Sequence, residues 1–206
     1  MLNNKYLKSA AHKISKTGGI LVVVSSPTAV GKTTVCRKLV SRGKGLIVNS
    51  ISATSRPPRK GEREGRDYFF VGAKFPGLIK QGRFLEWEKV HGSYYGTPKK
   101  YVEEQIAKNK AVLLTIDVKG GATIRKKFKN SLLIFLLPPS LEVMRKRLEK
   151  RGTETAAQIK VRLNTAVKEL KYLKKYDYLV VNDRLAETIK AVESIIQAKR
   201  HSLKEK

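Results

Sequence analysis

The sequence predicts an α/β fold: a parallel sheet flanked by helices, with a smaller lobe inserted after the second strand. Three observations carry this reading. Short, continuous apolar runs such as the β-branched residues 20–24 and the leucine-rich residues 132–137 are what a strand buried on both faces of a parallel sheet requires. Segments with apolar residues at helical spacing alternate with those runs. Finally, Ser26-Pro27-Thr28-Ala29-Val30-Gly31-Lys32-Thr33-Thr34 joins the first strand to the first helix as a small-residue loop ending in Gly-Lys-Thr.

In chain order, residues 20–24 are the first strand, and Val35, Cys36, Leu39 and Val40 mark the inner face of a helix over 32–42 that Gly43 and Gly45 stop. Residues 46–48 read as a second strand. Residues 52–66 are polar, basic and proline-broken, hence a loop. Residues 68–71 read as a strand, 75–81 as a short helix, and 84–90 with 93–95 as a hairpin turned at His91-Gly92. Pro98 is expected at the first position of a helix carrying Tyr101, Val102 and Ile106. Residues 111–116 and 132–137 are buried strands on either side of a helix at 123–128, and Ser140 is the N-cap of a helix buried through Val143, Met144 and Leu148. The stretch 150–155 is polar and flexible in composition. Ile159, Leu163, Val167, Leu170 and Leu173 then recur at helical spacing, 179–181 is a last strand, and Leu185, Ile189, Val192 and Ile196 line a final helix. The division is a core of residues 1–49 and 98–206 with an inserted lobe at 50–97, free of repeats, heptads or low-complexity tracts.

Composition narrows the function classes. The chain has 206 residues, 41% of them hydrophobic, enough for one core with an inserted lobe rather than a disordered segment. Its longest apolar runs are far too short to span a bilayer. Residues 1–16 carry Lys5, Lys8, Lys13 and Lys16 with no acid and no apolar signal core, so a plain basic N-terminus and a short organellar presequence both fit. The lone cysteine, Cys36, excludes an intrachain disulfide and fits a reducing, cytoplasmic setting. Lys and Arg number 44 against 17 Asp and Glu, a net charge of +27 with a pI near 10.3. Anionic partners are implied. A nucleotide would absorb a handful of these charges, leaving open either nucleic-acid adherence as a side property or a lysine-rich solvated surface.

The loop is a phosphate cradle by construction. A loop feeding a helix N-terminus aims unpaired backbone N–H groups and the positive end of the helix dipole at one point. Lys32 adds a full charge for the outer phosphates, and the Thr33 hydroxyl can complete the shell of a phosphate-bound Mg²⁺. The pattern G-x-x-x-x-G-K-[ST] expects glycine where Ser26 stands; a positive φ there would cost serine about 1–2 kcal/mol. Further on, Thr54-Ser55-Arg56-Pro57-Pro58-Arg59-Lys60-Gly61-Glu62 sets two arginines three apart in a proline-stiffened loop. Guanidinium forks suit bidentate phosphate capture, although alone the stretch would read as a solvated basic loop. Gly65-Arg66-Asp67-Tyr68-Phe69-Phe70, Phe84-Leu85-Glu86-Trp87-Glu88 and Tyr94-Tyr95-Gly96-Thr97-Pro98 follow it.

With these motifs in this order the chain resembles the guanylate kinases, from about residue 20 to 196. The resemblance implies a P-loop NTPase-type core, a lobe that holds GMP, and a lid at about residues 147–162. It implies that Arg56, Arg59, Tyr68 and Tyr95 grip the GMP phosphate, and that Ser52, Glu86, Thr97 and Asp117 face the guanine edge. Glu86 has a chemical reason beside the family one: guanine offers two adjacent donors, N1–H and N2–H₂, that one carboxylate can accept and adenine lacks. Its other reading is a surface strand residue. Arg147 and Arg151, with Arg162 one element on, match lid arginines that would neutralise charge on the transferring phosphoryl group. Asn182 matches a position beside them, or is a helix N-cap. Residues 26–34 and Asn182 would bind ATP. Two departures accompany Ser26: Thr115 stands where the family has an acid, and Lys119 where it has glutamine. Metal dependence is expected to persist through Thr33 and Asp117.

The implied reaction is ATP plus GMP giving ADP plus GDP, with Mg²⁺, ATP and GMP as the expected ligands, dGMP use and oligomeric state unread. No base is needed, because a nucleoside monophosphate is largely dianionic given a second pKa of about 6. His12, His91 and His201 are isolated and carry no expected role. The rivals are a phosphosugar kinase, disfavoured by Ser52, Glu86 and Thr97; a phosphopeptide-binding scaffold, disfavoured by Lys32 and the lid arginines; and a nucleic-acid-binding ATPase suggested by charge alone.

Overall fold

The structure, a computed structural model, describes residues 18–90, 92–152 and 154–202. The basic N-terminal stretch with His12, and also His91, lies outside them. The central sheet has five parallel strands: β1 (Ile20–Ser25), β2 (Ile47–Asn49), β7 (Ala111–Thr115), β8 (Leu132–Leu137) and β9 (Tyr178–Val181), in the order β2-β7-β1-β8-β9. Alternation along β1 explains why both faces are covered. Val22 and Val24 pack with Val35, Cys36 and Leu39 of α1 (Lys32–Arg42) and with Ile189, Val192 and Ile196 of α7 (Leu185–Arg200). Leu21 and Val23 pack on the other side with Val102 of α3 (Lys99–Ala107) and Ile124 of α4 (Val118–Lys127). Every loop after a strand of this sheet leaves from one edge, which is where ligands of such sheets bind.

The second sheet, β4-β3-β6-β5, is built from β3 (Ala53–Thr54), β4 (Phe69–Phe70), β5 (Phe84–Val90) and β6 (Ser93–Pro98). Only its β3–β4 pair is parallel. Its small core is aromatic: Phe75, at the start of α2 (Phe75–Lys80), stacks on Phe84 at 4.4 Å and on Tyr94 at 5.4 Å.

Several local expectations are corrected. Residues 52–66 contain β3, whose pairing partners lie far along the chain. Pro98 is the last extended residue, at φ −61° and ψ 122°, and α3 begins after it. Helix α4 begins at Val118 rather than 123, because Asp117 caps it by accepting from Gly120 N at 2.7 Å. Ser140 caps α5 (Leu141–Arg151) as expected, accepting from Val143 N at 3.1 Å. Within the stretch 150–155, α5 runs through Arg151, Gly152 closes it at φ 64°, and a Thr155–Gln158 capping box opens α6 (Ala156–Glu169). Past α6 a 3₁₀ turn, Leu170–Lys175, leads to β9. The N-cap of α7 is Arg184, not Asn182.

The glycine pair of α4 has a packing reason. A Cβ on Gly121 would stand 2.3 Å from Tyr176 Oη, whose ring is held edge-on to Phe135 at 5.1 Å. Overpacking then exceeds the gain in helix propensity, so Gly121→Ala is expected to cost a net of about 1–2 kcal/mol and lower Tm by about 2–8 °C. Adding Tyr176→Phe removes the clashing oxygen and should restore most of the loss in a thermal melt.

Candidate active site

Strand β1 ends at the fully buried Ser25, and the chain turns through residues 26–31 into α1. The turn needs two left-handed residues, and they are Ala29 at φ 62° and Gly31 at φ 95°. Ser26 is not among them; it donates from Oγ to Pro27 O at 2.8 Å, so the expected backbone cost at Ser26 does not arise. The cost of about 1–2 kcal/mol sits at Ala29 instead, whose buried methyl packs against Met144 and Leu148 of α5 and Ile159 of α6. Glycine is needed at 31 for space as well, since a Cβ would fall 2.7 Å from Asn182 Nδ2. Pro27 and Val30 are buried, Thr28 is partly so, and Thr33 and Thr34 are exposed on the first turn of α1.

Three elements clamp this loop from outside. Asn182, just after β9, donates from Nδ2 to Val30 O at 2.6 Å. Arg147 of α5 donates to Val30 O and to Asn182 O, each at 3.1 Å. Arg162 of α6 reaches Thr28 Oγ1 at 3.4 Å and pairs with Glu154 at 3.3 Å. A cavity of about 330 Å³ opens between the loop, Arg147, Arg151 and Asn182. Thus the loop and all three sequence-predicted lid arginines meet, on the side of the sheet edge facing α5.

Lys32 points the other way. Its Nζ donates to Ile116 O at 2.9 Å, beside the carboxylate of Asp117. Burial pushes the ammonium pKa below its ordinary value, while neighbouring Cys36, Asp117 and Glu169 hold it up. Glu169, on the last turn of α6, has its own pKa raised by burial and by Asp117, against Lys32. Nothing at the sequence level marks this acid; only folding brings the end of α6 to the loop. Thr115 is exposed at the end of β7 and Lys119 is exposed on α4.

Glu86 owes its position to an irregularity. Phe84 pairs with Pro98 but Trp87 with Gly96, so β5 carries one extra residue opposite Thr97. Phe84 packs into the aromatic core of the lobe, and past it the bulge turns both Leu85 and Glu86 toward α4 and leaves Trp87 45% exposed, so that the burial of Glu86 rules out its surface reading. Thr97 Oγ1 donates to Glu86 Oε1 at 2.5 Å, and both residues are buried. Burial raises the Glu86 pKa, the Thr97 bond lowers it, and Asp117 raises it further. Lys127 Nζ donates to Leu85 O at 2.9 Å and ties the bulge to α4. A Cβ built on Gly120 would lie 3.4 Å from both Glu86 Oε2 and Asp117 Oδ1. Glu86, Asp117, Ile116 and Lys32 are therefore contiguous across the gap between the two sheets.

At the far end of the second sheet, Arg56 lies over the Tyr68 ring at 4.9 Å, and Tyr68 meets Tyr95 edge-on at 5.9 Å. Arg56 Nε donates to Tyr95 Oη at 3.1 Å, Nη1 to Pro57 O at 2.9 Å and to Glu62 at 2.6 Å, and Nη2 to Glu62 at 2.7 Å. Those four bonds leave one of its five N–H donors, an Nη2 hydrogen, uncommitted. Bidentate capture of phosphate by Arg56, expected from the sequence, is thus taken by Glu62, whose pKa this pairing lowers to about 2. Glu62 also accepts from Arg59 N at 2.8 Å, leaving the Arg59 side chain exposed beside Arg56. Glu62 was legible only as the end of its motif; the signal was an acid three residues after Arg59. Ser52 contributes its carbonyl to Phe69 N at 2.9 Å, between β2 and β3.

Comparison with known proteins agrees with this geometry. A family model described as guanylate kinase matches residues 19–199. The guanylate kinase of Clostridium tetani is 42% identical over 183 residues, covering 88% of this chain and 87% of that one. That of Halalkalibacterium halodurans is 43% identical over 197 residues, covering 94% and 96%. Among solved structures, the crystal structure of guanylate kinase from Anaplasma phagocytophilum is similar with a TM-score of 0.72 at 34% identity, covering 91% of this chain and 89% of that one. A loop that ends in Gly31-Lys32-Thr33, facing a lobe with a buried carboxylate at Glu86, and matches of this length leave one assignment: the chain belongs to the guanylate kinase family.

Proposed function

We propose that the protein transfers the γ-phosphoryl group of ATP to GMP, with the donor on the loop at residues 26–34 and the acceptor against a lobe of residues 50–97. The observation that carries this reading is the contiguity of Glu86, Asp117 and Lys32, which puts a guanine-reading carboxylate and a phosphate-binding ammonium on one path. Glu86 and Thr97 read the base edge, with Ser52 and Asp117 beside them. Arg59, Tyr68, Tyr95 and the free N–H of Arg56 hold the monophosphate. Glu62 keeps the Arg56 fork in one orientation before the ligand arrives, which lowers the ordering cost of binding. GMP attacks as a dianion, so the chain needs no base; its work is positioning and charge. Arg147, Arg151 and Arg162, on a lid of about residues 147–162, meet the charge that spreads over the transferring group, and closure excludes water.

The donor set suits Mg²⁺ held mainly by phosphate. Among the described residues no group of three His, Cys, Asp or Glu side chains could cage a metal ion. Mg²⁺ at kinase sites takes most of its ligands from phosphates and water, and the exposed Thr33 hydroxyl would be its protein ligand here. Bound there, Mg²⁺ would supply positive charge to offset the charge developing on the transferring phosphoryl group. Among the described residues no helix is long and apolar enough to cross a membrane.

A coupled ADP-release assay with ATP, Mg²⁺ and each of GMP, AMP, CMP and UMP tests the reading. Turnover is expected with GMP alone. Comparable rates with AMP would refute the role of Glu86, and phosphopeptide binding without turnover would favour a scaffold.

A further inference from the structure

Nucleotide binding, as proposed above, employs one lysine and a few arginines out of 44 Lys and Arg, and most of the positive charge lies outside that site. One side chain organises a ridge. Arg125, near the end of α4, donates from Nη1 to the carbonyls of Lys129 and Ser131 at 3.1 and 3.0 Å, and from Nε to the carbonyl of Lys175 at 3.4 Å. It draws the end of α4 and the turn after it against the 3₁₀ segment, while its own charge is balanced by Asp177. Lys126 and Lys129 on one strip, and Lys171, Lys174 and Lys175 on the other, are all exposed. None of the five belongs to an ion pair among the described residues.

The spacing and the neighbouring ring say what would bind. In a 3₁₀ segment residues three apart eclipse with a rise of about 6 Å, so Lys171 and Lys174 follow one another along one edge, at roughly the step between successive phosphates of an extended strand. Between them the partly exposed Tyr172 ring carries the Lys171 and Lys175 ammoniums at 5.7 and 5.3 Å from its centre. A charged track beside an aromatic platform is the chemistry of single-stranded nucleic-acid binding, with lysines on phosphates and a base on the ring. A membrane surface would ask for a broad apolar face next to the charges, and an acidic peptide has no base for Tyr172. We propose that this ridge binds single-stranded nucleic acid, independently of the nucleotide site.

Fluorescence anisotropy of a short labelled single-stranded RNA, titrated with the full chain at several salt concentrations, tests it. Replacing Lys171, Lys174 and Lys175 together by Gln should reduce the slope of log affinity against log salt by about 2. Tyr172→Ala should weaken binding about fivefold or more and leave the slope unchanged. Replacing Lys38, Lys80 and Lys190, which are exposed on α1, α2 and α7, by Gln should leave the slope as it was. GMP turnover, retained in all of these variants, reports that they are folded; should the ridge triple fail to fold, Lys174→Gln alone should still lower the slope by about 0.7. Equal slope losses in the two triple variants would mean diffuse charge and overturn the proposal, as would absent RNA binding alongside binding to phosphatidylserine vesicles.

Discussion

Lys32→Ala should lower kcat by about a thousandfold or more while the dissociation constant for GMP stays within about twofold. The ammonium sits where donor loop and acceptor path meet, on Ile116 O at 2.9 Å. In the proposed reaction its charge would act on the transferring phosphoryl group, whose negative charge must be met by fixed groups because little covalent assistance is available. The proposed GMP contacts are made by other residues, so an isothermal titration with GMP alone should change little. Lys32→Met, which keeps the stem and removes only the charge, should fail in the same way and separates lost packing from lost electrostatics. A GMP affinity that falls in proportion to kcat would contradict the two-pocket arrangement.

What the sequence made legible follows from how local each signal is. The strands of the central sheet were readable because burial on both faces demands an unbroken apolar run: the expected residues 132–137 are the whole of β8. The phosphate loop was readable because its chemistry needs Gly31, Lys32 and Thr33 in succession. Long-range features were hidden. β3 is two residues long and exists through partners at residues 69–70 and 95–96. The first turn of α4 is hidden in the sequence because glycines at 120 and 121 depress helix propensity, and the reason for Gly121 is a tyrosine 55 positions away. The pattern alone implies a penalty at Ser26, whereas the loop bends into the left-handed region at Ala29 and Gly31.

The same distinction separates the two halves of the site. On the donor side the residues named from sequence are brought together by short links, Asn182 to Val30 and Arg147 to both. On the acceptor side the identities were legible but the arrangement was not. Strict alternation puts Leu85 and Glu86 on opposite faces, and only the extra residue in β5 turns both inward. The Arg56 fork likewise reads as an open phosphate receptor until Glu62 is found on it. Lobe geometry here depends on partners chosen by folding, which a motif does not record.

Glu86→Gln should separate recognition from stability. Guanine presents two adjacent donors to one carboxylate; an amide accepts one and opposes the other with its own N–H, so kcat/KM for GMP should fall about a thousandfold. Adenine pairs an acceptor with a donor at the same edge, which suits an amide, so the ratio of GMP to AMP turnover should narrow from both ends. The fold should respond in the opposite sense. Burial raises the Glu86 pKa above 4.5, so the folded state holds this proton more tightly than the unfolded chain does. The resulting stability is complete below pH 4.5 and is lost as pH rises through the raised value. Glutamine does not titrate and can still accept from Thr97 Oγ1, so its Tm relative to the parent should climb as pH rises from 4.5 toward neutrality. Paired melts across that range, with GMP and AMP kinetics on the same preparations, decide it: a parent that is equally stable relative to the variant at every pH would mean that Glu86 is not held at a cost for the base it reads.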